Sequence, residues 1–315
     1  MNVVLHFAAE PGLATRIRAA VPDWIDLHLV PEADREGFAD AMAHCEVLWH
    51  VLEPVTAATL DAAPSLRLVQ KIGVGVNTID LEAAHGLGVE VANMPGTNTT
   101  ATAEFALALM LAALRRLPTF DRAVREGAWY DSAALVSGCG EISGSTVGLV
   151  GYGAVASTLA RILDAMGATV LYTARSPKAD AVGEWRELGD LLAASDVVSL
   201  HAPLTDTTRH MIDAAALARM RPGAVLVNTA RGALVDEDAL AAALGSGRLS
   251  AAGLDVFAEE PLATTSALLE LPNVVVAPHV AWLTPQTFDR SIDVAVENCR
   301  RLRDGQVLLH RVVAP

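Results

Sequence analysis

Three cysteines in 315 residues, Cys45, Cys139 and Cys299, are too few and too scattered for a disulfide framework or a zinc site. They form no Cys-x-x-Cys pair and are read as reduced, buried or half-buried thiols, because a free cysteine behaves as a small hydrophobe. Basic residues are also scarce: 23 Lys and Arg stand against 37 Asp and Glu, for a net charge of −14. Such a chain repels a phosphate backbone, which argues against nucleic-acid binding. No apolar run is long enough for a bilayer. The nearest opens after Glu104 and closes at Arg115 and Arg116, about three helical turns. The opening stretch Met1–Phe7 has no basic residue ahead of its apolar run and reads as a strand, not a signal peptide. The expected setting is the cytoplasm, with no membrane or nucleic-acid partner and no metal.

What the chain does have is length and alternation. Its 315 residues, 52% hydrophobic, exceed one ordinary core and suit two domains. Short β-branched runs at residues 3–7, 47–51, 68–72 and 89–92 alternate with helix-like stretches such as 11–20 and 81–85. That alternation implies parallel sheets and the α/β class. After Pro95-Gly96-Thr97-Asn98 a helix is expected over 101–117. It is apolar nearly all round, so it should be buried on every side, as a link between domains or in a dimer interface. A second series of six strands follows at 146–150, 169–173, 197–201, 224–228, 252–256 and 274–277, enough for a doubly wound sheet. A last helix over 285–303 is expected to return to the first lobe. The domains would then be 1–98 with 285–315, and 99–284.

Gly151-Tyr152-Gly153-Ala154-Val155-Ala156 matches G-x-G-x-x-G/A after a strand and at the start of a helix, the context that the dinucleotide fingerprint needs. Gly151 permits a tight turn, Gly153 lets backbone approach a pyrophosphate, and Ala156 lets the helix pack on the sheet. The N–H groups of Ala154 and Val155 at the helix start suit the phosphates. NAD-type sites place an acid at the end of the next strand. Here Thr173-Ala174-Arg175-Ser176-Pro177-Lys178 has none. Arg175 can pair with a 2′-phosphate through its planar fork, and Ser176 can donate a hydroxyl. NADPH is therefore expected ahead of NADH.

Three further strand ends carry Asn228-Thr229-Ala230-Arg231-Gly232, Asp255 to Pro261, and Pro278-His279 to Trp282. Ligands of open α/β sheets lie outside the carboxyl ends of the strands, so an Arg, a carboxylate and a His should converge there. Hydride attack on a ketone builds charge on its oxygen, and His279 is the best proton donor near neutral pH. Glu260 is chosen as the carboxylate that orients the ring, and Arg231 as the permanent charge that grips a substrate carboxylate.

These segments, from Lys71 to Trp282, resemble the D-isomer-specific 2-hydroxyacid dehydrogenase family. The resemblance implies a two-lobed α/β fold, a Rossmann-type doubly wound parallel sheet plus a discontinuous flavodoxin-like substrate domain. It implies that Arg231, Glu260 and His279 are catalytic, and that the Gly73-Val74-Gly75 loop binds the substrate acid through Val74 and Gly75. It places Asn98 at the interdomain helix start, His201 and Pro203 of His201-Ala202-Pro203-Leu204-Thr205 on the adenosine side, and Thr229 and Ala230 beside the cofactor. Asp255 would hold the nicotinamide carboxamide. It also implies a homodimer formed through the long helix. Asn77 stands where many members have Asp. Trp282 stands where many have a small residue, which suggests an apolar wall over the substrate or a side chain crossing a dimer interface. The Tyr-Thr-Ala-Arg-Ser segment is similar to NADPH-using glyoxylate/hydroxypyruvate reductases, so reduction of a small 2-keto acid is the expected activity. Lys71 and His50 could instead meet a phosphate, which keeps phosphoglycerate dehydrogenase as an alternative. A non-catalytic dinucleotide-sensing protein and a phosphite-oxidising enzyme are the others.

Overall fold

The computed structural model describes residues 1–129 and 139–312. They form two compact units, Met1–Asn98 with Leu283–Pro315, and Thr99–Trp282. Among the described residues, no helix is long and apolar enough to cross a membrane.

The first unit is built on strands β1 (Asn2–His6), β2 (Asp26–Val30), β3 (Val47–His50), β4 (Leu68–Lys71) and β5 (Glu90–Ala92). They lie in the order 2-1-3-4-5, all parallel, which is the flavodoxin-like arrangement. The terminal strand β13 (Arg311–Val312) adds antiparallel to β5. β3 and β4 are buried along their whole length, as central parallel strands should be. β2 escaped the sequence reading because it is an edge strand: Leu27 and Val30 are buried while Asp26 and His28 are exposed.

The last helix, Pro285–Arg303, packs within this first unit. Its buried positions, Thr287, Phe288, Ser291, Ile292, Ala295, Asn298 and Cys299, fall on one face at three- and four-residue spacing, the stripe of an amphipathic helix. The buried Asn298 amide stitches it in place. Its Nδ2 donates to Gln70 Oε1 at 2.6 Å and to the Leu309 carbonyl, and its Oδ1 accepts from Leu309 N at 2.7 Å. Cys45 and Cys299 are buried and Cys139 is half-buried. Burial pushes the first two thiols up to about 12.

The second unit holds β6 (Thr146–Val150), β7 (Thr169–Thr173), β8 (Glu184–Trp185), β9 (Val197–Leu200), β10 (Ala224–Asn228), β11 (Leu249–Leu254) and β12 (Val274–Val276). Numbered from β6, the order is 3-2-1-4-5-6-7, and every pair is parallel. This is the Rossmann-type doubly wound sheet, with its switch point between β6 and β9. It has one more strand than expected, the two-residue β8, too short to register as a hydrophobic run.

The long helix runs Thr99–Leu114 and a second helix follows at Leu117–Arg125. The expectation of burial on every side is corrected: Glu104, Ala108 and Leu111 are exposed. The opposite side is shut against β11. A Cβ on Gly253 would lie 2.9 Å from Leu109 Cβ, so only a glycine lets helix and strand approach this closely.

Candidate active site

All of the chemistry-bearing segments of the second unit leave the sheet at one level. Thr173, Val150, Leu200, Asn228, Leu254 and Val276 are register partners in a single row across six strands. Just beyond that row stand Arg175, the Gly151–Gly153 turn, His201, Thr229–Arg231, Asp255 and His279. The sequence reading brought these segments to one edge, and the register does so too.

The turn after β6 is shaped by close backbone packing. Gly151 has φ +93°, and a Cβ there would sit 2.6 Å from Ala202 N. Gly153 is different: nothing lies within 4 Å of where its Cβ would be. It is also the N-cap of the helix Ala154–Ala165, with no side chain bonding the first-turn N–H groups. That is open space in front of unsatisfied donors and a positive helix end, which suits an anion. Two buried polar atoms just beyond the register row have no partner among the described residues, Thr229 Oγ1 and His201 Nε2. Buried polar atoms are nearly always hydrogen-bonded, so orphans here fit a ligand's polar groups. The residues present therefore fit a bound dinucleotide. Arg175 and Ser176 are exposed just past the end of β7.

At β10 the buried Asn228 side chain staples its own turn. Nδ2 donates to the Arg231 carbonyl at 2.8 Å and Oδ1 accepts from Ala230 N at 3.0 Å. Arg231 Nη1 donates to the Ala230 carbonyl. Burial lowers the Arg231 guanidinium and the nearby Glu260 opposes that; a guanidinium remains charged regardless. Gly232 then runs against the β11 exit. A Cβ on it would lie 1.8 Å from Phe257 C and 2.1 Å from Phe257 O.

Glu260 and His279 are paired at 2.6 Å between Oε2 and Nδ1. The other oxygen, Oε1, accepts from Phe257 N at 2.9 Å. Burial by itself would raise the Glu260 carboxyl. The hydrogen bond and charge of His279, the Phe257 N–H and Arg231 outweigh it, and the group ends below its ordinary value. Glu260 is thus a carboxylate at neutral pH, placed to accept a hydrogen bond from Nδ1 and fix the ring's orientation. Nε2 has no hydrogen-bond partner among the described residues.

His279 itself sits at φ +55°, left-handed backbone that a residue with a Cβ adopts at a cost of order 1 kcal/mol or more. The surroundings impose it. Asp255 is fully buried, and its two oxygens accept from Val280 N at 2.8 Å and Ala281 N at 2.9 Å, while its carbonyl accepts from His279 N. Burial raises the Asp255 carboxyl and the two N–H groups oppose that. Trp282 Nε1 donates to the His279 carbonyl at 3.1 Å. The indole is only 8% exposed within its own chain, so the reading of Trp282 as a side chain reaching across a dimer interface does not hold. It buttresses the histidine loop.

Glu237 was missed. It heads the helix Glu237–Gly245 and accepts from Ala258 N at 2.6 Å, tying down the turn that carries Glu260. Nothing local marks it, because the contact spans 21 residues.

The remaining candidates lie in the first unit. Val74 and Gly75 follow β4. Their loop is tied by Met94 N to the Gly73 carbonyl at 2.8 Å and by Asn93 Nδ2 to the Val74 carbonyl at 2.8 Å. Asn98 is half-buried and Asn77 exposed. His6, His50 and Lys71 are register partners at the carboxyl ends of β1, β3 and β4. The Lys71 ammonium donates to the Val51 carbonyl. Burial, with Lys71 adding to it, lowers His50 to about 3, although its Nε2 meets the Glu53 carbonyl at 2.7 Å. A histidine at 6.5 when unfolded and about 3 when folded binds its proton only in the unfolded chain between those values. Stability should therefore fall as pH drops through that window, by roughly 2 kcal/mol from this group between pH 7 and pH 5. Urea unfolding of wild type and His50→Asn at both pH values checks this; the variant should show the shallower pH dependence.

Residues 107–281 match the family of the D-isomer specific 2-hydroxyacid dehydrogenase, NAD binding domain. A glyoxylate reductase of Aeropyrum pernix is 44% identical over 257 residues, covering 79% of this chain and 76% of that one. A D-3-phosphoglycerate dehydrogenase of Mycobacterium tuberculosis is 41% identical over 299 residues, 93% of this chain, but the chain spans only 56% of that protein's length. The crystal structure of the TT0316 protein from Thermus thermophilus superposes with a TM-score of 0.89 at 34% identity, covering 99% of this chain and 100% of that one.

Proposed function

The chain belongs to the D-isomer-specific 2-hydroxyacid dehydrogenase family, and from that premise we propose that it reduces a small 2-keto acid of the glyoxylate or hydroxypyruvate kind to its 2-hydroxy acid, with NADPH preferred. The observation that carries this reading is the Glu260–His279 pair at 2.6 Å beside Arg231, on the same sheet edge as the Gly151–Gly153 turn. Bound NADPH would supply the hydride that adds to the keto carbon. The protein's residues do the rest. Arg231 holds the substrate carboxylate and polarises the keto oxygen. His279 delivers the proton from Nε2 to that oxygen as charge builds on it. Glu260 keeps the ring oriented through Nδ1. We take Asp255 first as the clamp of the His279 loop, and carry the family's carboxamide role to it as well. Gly151, Tyr152, Gly153, Ala154 and Val155 would line the pyrophosphate, and His201, Pro203, Thr229 and Ala230 the rest of the dinucleotide. The substrate-loop assignment goes to Val74, Gly75 and Asn98, and the apolar-wall role to Trp282.

NADPH preference rests on Arg175 and Ser176, with no acid between Thr173 and Lys178. Arg175→Ala is expected to raise KM for NADPH by tenfold or more, the scale of one charge-assisted bond to phosphate. KM for NADH should move far less. Equal effects on both would remove the cofactor reading.

A homodimer in the cytoplasm fits the same picture. Leu111, Leu117, Val124 and Trp129, the last 83% exposed, are exposed large apolar side chains on the two consecutive helices and just beyond them, and we take them as the candidate association face. A second reading, phosphoglycerate oxidation, is favoured by the 41% identical relative. The neutral His50 and engaged Lys71 make a weak phosphate seat. Initial rates with glyoxylate, hydroxypyruvate, pyruvate and phenylpyruvate, each with NADPH and NADH, and with 3-phosphoglycerate and the oxidised dinucleotides, decide between them. Turnover with 3-phosphoglycerate alone would replace the proposal. Oxidation of phosphite, or tight dinucleotide binding with no turnover, would point to the remaining alternatives.

A further inference from the structure

The segment between β7 and β8, residues 174–183, joins two adjacent parallel strands without a helix. It carries Arg175, Ser176 and Lys178, all exposed. An exposed loop of ten residues with no secondary structure is ordinarily mobile. This one is fastened along its length by aromatic side chains that point at its backbone. Trp185 Nε1 donates to the Ala174 carbonyl at 3.1 Å. Tyr172 Oη accepts from Lys178 N at 2.8 Å. Tyr152 Oη accepts from Val182 N at 2.9 Å and donates to the Val182 carbonyl at 3.0 Å. At the far end, Gly183 has φ +103°, and a Cβ there would lie 2.6 Å from the Val170 carbonyl oxygen. The backbone is thus fixed immediately before Arg175 and again at Lys178.

The two tyrosines also touch each other, with ring centroids 4.3 Å apart. Tyr152 is the variable residue of the Gly151-Tyr152-Gly153 turn. One ring pair therefore joins the glycine turn to the segment bearing Arg175. Neither the fingerprint nor the choice of NADPH demands a hydroxyl at either position; a Phe would fill the same volume.

We propose that Tyr152, Tyr172 and Trp185 are positioning residues for cofactor selectivity. They order the 174–183 segment before binding, so that Arg175 and Ser176 meet the 2′-phosphate without a further ordering cost. The inference rests on the NADPH reading above. Preorganisation raises affinity by removing ordering costs, and it acts on a ligand only through the contacts the ordered loop makes. NADH, which has no 2′-phosphate, should gain little from it.

Dissociation constants of NADPH and NADH for wild type, Tyr172→Phe, Tyr152→Phe, Trp185→Phe and Arg175→Ala test this, with hydrogen exchange of residues 174–183 measured alongside. Each tyrosine variant should weaken NADPH by about fivefold, the scale of one lost hydrogen bond. NADH should change by less than twofold for Tyr172→Phe, and exchange in the loop should quicken. Should buried Tyr172→Phe fail to fold, half-buried Trp185→Phe, which lies outside the pyrophosphate turn and loses the bond to the Ala174 carbonyl, carries the test with the same expected result. If Arg175→Ala lowers selectivity while folded tyrosine variants keep the wild-type NADPH-to-NADH ratio, the positioning role is refuted and the NADPH reading stands. If Arg175→Ala leaves the ratio unchanged, the NADPH reading fails and the positioning role falls with it.

Discussion

His279→Ala is expected to lower kcat by 10²–10⁴-fold with 2-keto acids, the usual scale for losing a positioned general acid. The loss should fall on kcat and on kcat/KM together, because the proton is needed only as charge develops on the keto oxygen. Cofactor affinity should be nearly unchanged, since His279 is bonded to Glu260 and to the Asp255 backbone within the protein. The fold should survive with a modestly lower melting temperature: the pair is half-buried, and Glu260 left without the ring still accepts from Phe257 N. Steady-state kinetics with a melting curve check both halves. Near-wild-type turnover would remove His279 from the mechanism.

Gly232→Ala is expected to have the second-largest effect, and for a steric reason. The new Cβ would fall 1.8 Å from one backbone atom of Phe257 and 2.1 Å from another. Neither atom belongs to a flexible side chain, so the Arg231 segment and the Phe257–Glu260 turn must move apart. Overpacking of this kind costs about 1–3 kcal/mol. A shift of about 1 Å between catalytic groups costs on the order of 10²-fold in rate. The variant should melt lower and lose most of its turnover. Gly153→Ala is the informative contrast. Its Cβ would meet nothing within 4 Å, so its melting curve should match wild type while dinucleotide affinity drops. A Gly153→Ala protein that binds the dinucleotide as wild type would exclude that turn as the pyrophosphate seat.

Most of the second sheet was legible in the sequence because its central strands are buried on both faces and read as continuous β-branched runs. The strands at 146–150, 169–173 and 224–228 were placed to the residue. β11 was placed late, since it starts at Leu249; the small residues Ser250, Ala251 and Ala252 hide its beginning. β8 and β13 are two-residue edge strands whose pairing is decided by their neighbours, and β2 is a half-exposed edge strand with no continuous apolar run. The same division runs through the site. Gly151, Gly153, Arg231, Glu260 and His279 could be named because turn chemistry and charge are local properties. Glu237, the need for glycine at 232 and the Asp255 grip on residues 280 and 281 could not, because each is a contact between distant segments. The two tyrosine hydroxyls that hold residues 178 and 182 belong to this second kind. Tyr172 looks like an ordinary strand aromatic until β8 and the loop before it are in place.

Hydride transfer into the acid is the central chemical claim, and isotope transfer reads it directly. NADPH deuterated at both positions of nicotinamide C4 should be incubated with glyoxylate and wild-type protein, with the His279→Ala variant in parallel, and the hydroxy acid examined by NMR and mass spectrometry. Deuterium on C2 of the product, formed rapidly by wild type and at least a hundredfold more slowly by the variant, is the result predicted. Bound NADPH that transfers no deuterium to glyoxylate, or label transfer that proceeds at the same rate without His279, would contradict it.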